Sequence, residues 1–322
     1  MAFCALIAVL LIEQLFPLNV YLVVHRPLTR LARFVELHAN AGERQQALVA
    51  WFLLSVGLSL VAFFAYASLA VVSPILGWAF SALVLYFMLG FRQESHHFYR
   101  VQRALQKDDL RGAWQAWREW QGMTPEGSAP GERGDRGVPG SAARIASQSI
   151  ASALLASHRH VFGVLVCFCL LPGPSGAVLY RVASIIADVW GARTLPEGGH
   201  FSAVARQFFF YIDWLPARVS AAAFAVAGDF ESAVFAWKTN GGEALSSQLD
   251  TNSRVVLNSG AGALGVRLVE AGVSDGNAET AGFGAGRPAD TDSVRRTSSL
   301  LWRVLLIWMF LLMLFAVAQL AQ

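Results

Sequence analysis

Histidine, arginine and aspartate side chains set in apolar stretches are the residues of this chain best suited to chemistry. His158-Arg159-His160 places two imidazoles beside a guanidinium at the start of an apolar run. A phosphate-bearing ligand or a lipid headgroup could bind there, or the three residues could be an interfacial anchor. No carboxylate or cysteine stands at ligand spacing, so we expect no metal site. Further charges in semi-apolar segments either line an anion pocket or pair with one another: Arg181, Asp188, Asp213 and Arg218.

A glycine pattern at 260–265, Gly-Ala-Gly-Ala-Leu-Gly, matches the dinucleotide fingerprint GxGxxG. A phosphate-binding glycine turn needs a strand, a helix and a second parallel strand within roughly thirty residues. The sequence after Val266 is instead typical of a glycine-rich loop. We therefore expect no nucleotide site at this motif.

The first apolar segment, residues 3–24, contains the ionisable residue Glu13. A carboxyl group at membrane depth is costly without a partner or a polar cavity, so a functional role and an internal ion pair both stay open. The segment is long enough to cross a hydrocarbon layer of roughly 30 Å. It lacks the basic start and the cleavage site of a signal peptide, so we expect it to be retained.

The elements that must position these side chains are membrane helices. Of the residues, 55% are hydrophobic and 15% are charged, which is too apolar for an average soluble domain. The net charge of +3 is small and lies mostly beside apolar runs, which argues against a nucleic-acid partner and for the lipid bilayer. Residues 47–91 predict a membrane hairpin that turns at Ser73-Pro74, because proline cannot continue a helix.

The expected fold is all-α: a polytopic helical membrane protein with broken or re-entrant helices and a glycine-rich extramembranous loop. The apolar run 161–171 is too short to span alone, and residues 201–237 predict two short helices with a bend at 213–216. Arginine-flanked loops at 25–46 and 92–146, and the start of the last span, should be cytoplasmic, with each terminus on the far side. The expected division is 1–121 (span, loop, hairpin, amphipathic helix), 122–141 (flexible linker), 142–238 (broken-helix core), 239–298 (polar, glycine-rich loop) and 299–322 (last span). Within the loop, residues 239–294 should be extramembranous and poorly ordered.

Three segments resemble the CobD/CbiB membrane proteins of cobalamin biosynthesis, to which the AmpE proteins are distant relatives. They are Gly-Pro-Ser-Gly-Ala-Val-Leu-Tyr-Arg at 173–181, Trp-Leu-Pro-Ala-Arg at 214–218 and the glycine segment 260–268. The start at 11–15 is similar to the AmpE-like start, and residues 89–93 are similar to the family's end of the second hairpin limb. The resemblance implies a multi-pass protein of the bacterial cell inner membrane.

The resemblance also implies an activity, of the adenosylcobinamide-phosphate synthase type. Such a ligase joins cobyric acid through an amide bond to aminopropanol or its phosphate, and needs ATP, Mg²⁺ and acidic residues. A corrinoid would then be the small-molecule partner, with its phosphate or propionate groups bound by arginine forks at Arg181, Arg218 and Arg267.

The chain departs from the family at its acidic motifs. The positions that align with them carry Ser-His-Arg-His-Val at 157–161, Ser-Ile-Ile-Ala at 184–187 and Phe-Phe at 209–210. Imidazoles and hydrophobes cannot replace the hard oxygen ligands of Mg²⁺. Whether the chain is an enzyme therefore stays open, and ATP and Mg²⁺ are expected only if the ligase is retained. The alternative is an AmpE-like signalling or accessory protein without catalysis, whose protein partner the sequence does not identify; a transporter built around Glu13 is a third hypothesis.

Overall fold

A computed structural model of the protein describes residues 24–39, 43–89, 91–122, 141–191, 199–240, 250–269 and 282–320. The predicted first span with Glu13, and the linker 122–141 except for its two end residues, lie outside the described residues. The prediction of an all-α membrane protein is confirmed, with a small sheet added to the helices.

The described chain is almost entirely helical, and its three short strands all lie between α11 and α12. The helices are α1 Arg26–Ala39, α2 Arg44–Val72, α3 Pro74–Met88, α4 Phe91–Leu105, α5 Leu110–Trp120, α6 Ala142–Ser157, a π-helical segment His158–Phe162, α7 Gly163–Leu170, α8 Ser175–Gly191, α9 Gly199–Ala227, α10 Phe230–Asn240, α11 Thr251–Leu264 and α12 Thr291–Leu320. The strands are β1 Val266–Val269, β2 Gly282–Phe283 and β3 Arg287–Pro288.

Three helical runs of the described residues are long and apolar enough to cross a membrane: Arg44–Val72, Ala142–Leu170 and Thr291–Leu314. The second run joins α6 to α7 through the π-helical segment, so the apolar residues from 161 are not an isolated short element as the sequence indicated. A π-helical turn adds a residue without interrupting the helix, which explains the continuity.

The predicted hairpin turns where the sequence places it. α2 ends at Val72, Ser73 is extended with φ −158° and ψ 130°, and Pro74 is the first residue of α3. A Cβ added to Gly77 would lie 2.8 Å from the Cβ of Ala70, so glycine lets the two limbs approach closely. At 15 residues, α3 is about 22 Å long, which is shorter than a typical hydrocarbon layer.

The chain forms two compact units, each built from separated stretches of sequence. The first unit combines residues up to Phe91 with His158–Pro216 and the chain from Trp308 onward. The second combines Arg92–Ser157 with Ala217–Ile307. The first unit centres on α8, which contacts α1, α2, α3 and α7 and has most of its residues buried. The second centres on α11, which contacts α6 and α10.

The expected bend at 213–216 is wrong, because α9 continues as one helix of 29 residues with Pro216 inside it. A proline in a helix interior removes one hydrogen bond and costs about 3 kcal/mol. Asp213, Pro216 and Ala217 are all buried, so tertiary contacts on both sides of the proline offset that cost.

The prediction of a poorly ordered polar loop over 239–294 is wrong for its described residues. Every residue of α11 except Thr251 and Arg254 is buried. The small sheet that follows has the order β2-β1-β3, with β1 antiparallel to β2 and parallel to β3. Two glycines of the apparent dinucleotide motif lie within α11, where Gly260 approaches Leu154 and Gly262 approaches the backbone at Ser232 and Ala233. The third, Gly265, ends the helix in a left-handed conformation with φ +64°. Glycine, alanine and serine are small enough to let α11 pack closely against its neighbours. This close packing explains why a buried helix has a composition that indicated a loop in the sequence.

Candidate functional site

A buried cluster of three polar side chains lies within the first unit. His158 Nε2 is 2.9 Å from Asp213 Oδ1, and the Tyr180 hydroxyl donates to the same oxygen at 2.7 Å. His158 and Asp213 are 1% exposed and Tyr180 is fully buried. A buried carboxylate is tolerated when hydrogen bonds satisfy it. Because its two partners come from different elements, one oxygen of Asp213 connects the π-helical segment, α8 and α9.

Two local features build this cluster of His158, Tyr180 and Asp213. The π-helical segment supplies His158, and π-bulges are frequent at functional sites. Gly163, the first residue of α7, faces the tyrosine ring, and a Cβ there would lie 2.2 Å from Tyr180 Cζ and 2.3 Å from its hydroxyl oxygen. Only glycine at position 163 leaves room for the tyrosine in this position.

The turn between α7 and α8 holds the segment that resembles the family motif at 173–176. Gly173 has φ +63°, a left-handed conformation that favours glycine. A Cβ on Gly176 would lie 1.9 Å from the carbonyl oxygen of Cys167, so the two helices meet at van der Waals distance there. The Ser59 hydroxyl donates to the Ser175 carbonyl at 2.9 Å and ties α2 to this turn. The motif therefore has a packing role in this chain.

Asp188, one of the charges in the semi-apolar segments, pairs with Arg159 of the His158-Arg159-His160 motif. Arg159 Nη1 lies 3.3 Å from Asp188 Oδ1, and the Arg159 guanidinium stands over the ring of Phe209 at 5.6 Å from its centroid. The Phe209 ring also packs against Tyr180, with ring centroids 5.7 Å apart. A position at which the family resemblance implies an acidic residue thus carries an aromatic ring that packs against the cluster.

A second site lies in the second unit, at a cavity of about 380 Å³. Its lining comes from α9, α10 and α11: Arg218, Val234, Trp237, Lys238, Thr251 and Val255. Arg218 Nη1 donates to Asn252 Oδ1 at 3.2 Å, and Asn252 is fully buried on α11. This hydrogen bond holds the guanidinium at the cavity wall.

Helix caps fix two of the three helices that line this cavity. The amide of Ser232 donates to Asp229 at 3.1 Å and its hydroxyl at 2.9 Å, at the start of α10. These hydrogen bonds, the amide bond foremost, hold the pKa of Asp229 below its usual range. Asp250 caps α11 by accepting from the Ser253 amide at 2.8 Å. Both caps satisfy amides that the first helical turn leaves without partners.

The remaining predicted site residues are spread over both units. His160 is half-buried in the π-helical segment, Arg181 is 6% exposed on α8, and Arg267 is half-buried on β1. Arg181 falls in the first unit, whereas Arg218 and Arg267 fall in the second. Their roles in substrate binding stay predictions.

Sequence reasoning missed several residues of these sites, among them Tyr180, Trp237 and Lys238. Tyr180 stands beside Arg181 in the segment that resembles the family, which was the available signal. Trp237-Lys238 lies at the end of an apolar helix and has no motif around it. Only the fold brings it beside Thr251 and Arg218.

The described residues do not fit the Mg²⁺ that the family resemblance implies. Among them, no three His, Cys, Asp or Glu side chains stand close enough to hold a metal ion. The buried carboxylate of Asp213 already accepts from His158 and Tyr180. We therefore assign no catalytic step through a metal ion.

Comparison with known proteins gives a family match and two curated relatives. The family described as CobD/Cbib protein matches residues 135–301. A cobalamin biosynthesis protein CobD of Stutzerimonas stutzeri is 28% identical over 295 residues, 88% of this chain and 88% of the relative. A protein of the same name from Chromobacterium violaceum is 28% identical over 200 residues, 61% of this chain and 57% of the relative. No solved structure gives a significant match.

Proposed function

This chain belongs to the CobD/CbiB family, and from that premise we propose that it acts in cobalamin biosynthesis. The observation that carries the proposal is the family match over residues 135–301, which contains both the His158–Asp213–Tyr180 cluster and the cavity at Arg218. The curated relatives that support it bear the name cobalamin biosynthesis protein CobD.

We propose that the protein works as a multi-pass protein of the bacterial inner membrane. Three described helical runs have the length and apolarity of spans, and the short helix α3 follows the first of them as a hairpin limb. Helices satisfy their own backbone hydrogen bonds, which is what a lipid environment demands. Exposed apolar side chains on α2 and α12, such as Phe64, Val71 and Phe310, are then lipid contacts.

The reaction proposed for the protein is the family's ATP-dependent amide ligation of cobyric acid to aminopropanol or its phosphate, in which the cleavage of ATP drives the loss of water that accompanies amide formation. The cavity supports this reaction because it offers two cationic side chains, Arg218 and Lys238, to an anionic group. In this proposal the protein's own residues bind and orient the substrate.

A second candidate function is a membrane signalling or accessory role without catalysis. The observation that favours it is the kind of side chain that this chain has where the family resemblance implies acidic residues. His158 is engaged with Asp213, and Phe209 packs against Tyr180 and Arg159. Side chains committed to packing at those positions supply no carboxylate for metal-dependent chemistry.

Complementation separates the two functions. A cobalamin-dependent bacterial strain that lacks its own cobinamide-forming ligase is grown on cobyric acid, with and without this protein in its membrane. We expect growth with the protein, abolished by Arg218→Ala and retained by Lys107→Ala. Lys107 is an exposed cation of the same unit, in the turn between α4 and α5, away from the cavity lining.

The protein level in the membrane fraction decides how a failure to grow is interpreted. Absence of growth with full-length protein present in the membrane would reject the ligase and leave the accessory role. Growth that survives Arg218→Ala would reject the assigned use of this cavity while retaining the ligase.

A further inference from the structure

The helix α1 is packed on one side and exposed on the other. Ala32 is 2% exposed, and its carbonyl accepts a hydrogen bond from Trp190 Nε1 of α8 at 3.0 Å. Leu28 and Ala32 also meet apolar side chains of α2 and α8. These contacts fix one side of α1 to the first unit, so they also set which side chains the helix exposes.

The exposed side of α1 combines basic and apolar side chains. Arg26, Arg30 and Arg33 are all exposed, and at 3.6 residues per turn they fall within about 60° of one another around the helix. Next to them lie Phe34, which is 57% exposed, and Leu31, which is 39% exposed. A helix with arginines beside exposed leucine and phenylalanine is typical of segments that lie in the interface of a bilayer.

The positive charge on this side of α1 is not balanced within the helix. Glu36, the only carboxylate of α1, is 3% exposed and falls on the packed side. Within the part of the chain that the structure describes, the side chains of Arg30 and Arg33 form no hydrogen bond or ion pair. Their guanidinium groups are therefore open to an anion from outside the described chain.

The helix also stands close to a predicted membrane span. α2 begins at Arg44, a few positions after α1 ends at Ala39, and it is long and apolar enough to cross a bilayer. Val49 and Leu53 in the first turns of α2 are 65% and 66% exposed. The lipid-facing side of α2 thus starts near α1, and the arginines around it favour the cytoplasmic side.

We propose that the exposed side of α1 lies on the cytoplasmic surface of the bilayer and binds anionic phospholipid there. Leu31 and Phe34 would enter the boundary between headgroups and acyl chains, and Arg30 and Arg33 would bind phosphate oxygens. The arginine stem is apolar and can stay in that boundary while the guanidinium reaches the phosphate. The inference rests on the membrane location proposed above and is independent of the ligase reaction.

Hydrogen–deuterium exchange of the full-length protein in nanodiscs tests the proposal. One set of discs contains phosphatidylcholine alone, and the other an equal mixture of phosphatidylcholine and phosphatidylglycerol. We expect the amides of residues 26–39 to exchange about five- to twentyfold more slowly in the mixed discs, because a helix held at an anionic surface by its arginines opens less often. Exchange in the buried helix α8 should be equal in both discs and reports that the protein is folded.

Matched variants locate the effect on α1. The double variant Arg30→Gln and Arg33→Gln removes two exposed positive charges from α1 and should abolish the difference between the two discs. The control, Arg103→Gln and Lys107→Gln, removes two exposed positive charges from α4 and the turn after it and should retain the difference. Phe34→Ser should speed exchange of α1 in both discs, because it removes an apolar anchor and no charge.

Three results would overturn the proposal. Equal exchange of wild-type α1 in the two discs would mean that the helix does not select anionic lipid. A difference that survives the double variant of α1, or that the control variant also abolishes, would mean that the effect comes from elsewhere in the chain. Slower exchange in the mixed discs together with failed complementation would defeat the ligase alone, whereas complementation with equal exchange would defeat this inference alone.

Discussion

Asp213 shows how a single oxygen can organise a membrane-embedded unit. Its Oδ1 accepts from Tyr180 at 2.7 Å and lies 2.9 Å from His158 Nε2, while all three side chains are buried. A carboxylate removed from water is costly unless its hydrogen bonds are made, so each donor is worth more here than on a surface. The cluster is therefore sensitive to the loss of either donor.

Replacing Tyr180 with phenylalanine tests that sensitivity. Tyr180→Phe removes one donor and leaves the buried oxygen with one partner fewer, at a cost of about 1–3 kcal/mol in the free energy of unfolding. Thermal unfolding in detergent, followed by circular dichroism, measures the difference. Tyr211→Phe on the same helix as Asp213 is the control, since Tyr211 is 63% exposed, and should change stability by less than about 0.5 kcal/mol. Equal effects of the two substitutions would show that the Asp213 bond contributes nothing.

Gly163 makes a second prediction at the scale of the residue. In Gly163→Ala the new Cβ would lie 2.2 Å from Tyr180 Cζ, so the tyrosine must move away from Asp213, at a cost of about 1–3 kcal/mol. Gly57→Ala in α2 is the matched control, because a Cβ there meets no atom within 4 Å. That control should be neutral or stabilising by about 0.5–1 kcal/mol. A stable Gly163→Ala protein would mean that the tyrosine has another position open to it.

At the scale of the element, apolar runs and prolines predict more than polar composition does. The hairpin at Ser73-Pro74 follows from hydrophobic length and is confirmed. The amphipathic segment expected after it forms two helices, α4 and α5. α11 could not be predicted, because its asparagines and serines look solvated in the sequence. In the fold they bond internally: Ser259 donates to the Ala221 carbonyl at 2.6 Å, and Asn258 accepts from the Gly284 amide at 3.0 Å.

For the site residues, too, the sequence predicts some features and not others. The sequence marks His158 and Asp213 as embedded polar groups, but they stand 55 positions apart and no spacing rule predicts their contact. Tyr180 joins them from a third helix, 33 positions from Asp213. Local periodicity carries no information about such long-range pairs, whose formation depends on how the helices pack.

Asp250 makes the prediction for α11 as an element. Asp250→Ala removes the oxygen that caps the Ser253 amide at 2.8 Å and should destabilise the protein by about 0.5–2 kcal/mol. Asp250→Asn keeps a capping oxygen and should retain most of the stability. Denaturant unfolding of both variants gives the comparison. If asparagine lost as much stability as alanine, the carboxylate charge rather than the capping oxygen would be the stabilising feature, and full stability of both variants would show that the cap contributes nothing.

At the scale of the whole molecule, the chain returns twice to its first compact unit and once to its second. Segments from the beginning, middle and end form the first unit, and two intervening stretches form the second. Contacts between distant parts of the chain therefore hold each unit, as in Trp190 Nε1, which donates to the Ala32 carbonyl at 3.0 Å across 158 positions. Neither unit corresponds to one uninterrupted stretch of sequence, so removal of the chain from Trp308 onward should affect the first unit.

Membrane orientation gives the last prediction. Arg295 and Arg296 precede the apolar part of α12, and the chain after Arg303 carries no arginine or lysine. Basic residues favour the cytoplasmic side, so the end of α12 should face away from the cytoplasm. Alkaline phosphatase fused after the last residue should be active, whereas green fluorescent protein at the same place should be dark. At Lys107, in the turn between α4 and α5, the pattern should reverse. The double substitution Arg295→Glu and Arg296→Glu removes the positive charge before α12 and should lower phosphatase activity at the end of the chain. Unchanged activity would mean that the surrounding helices, rather than the two arginines, set the direction of α12.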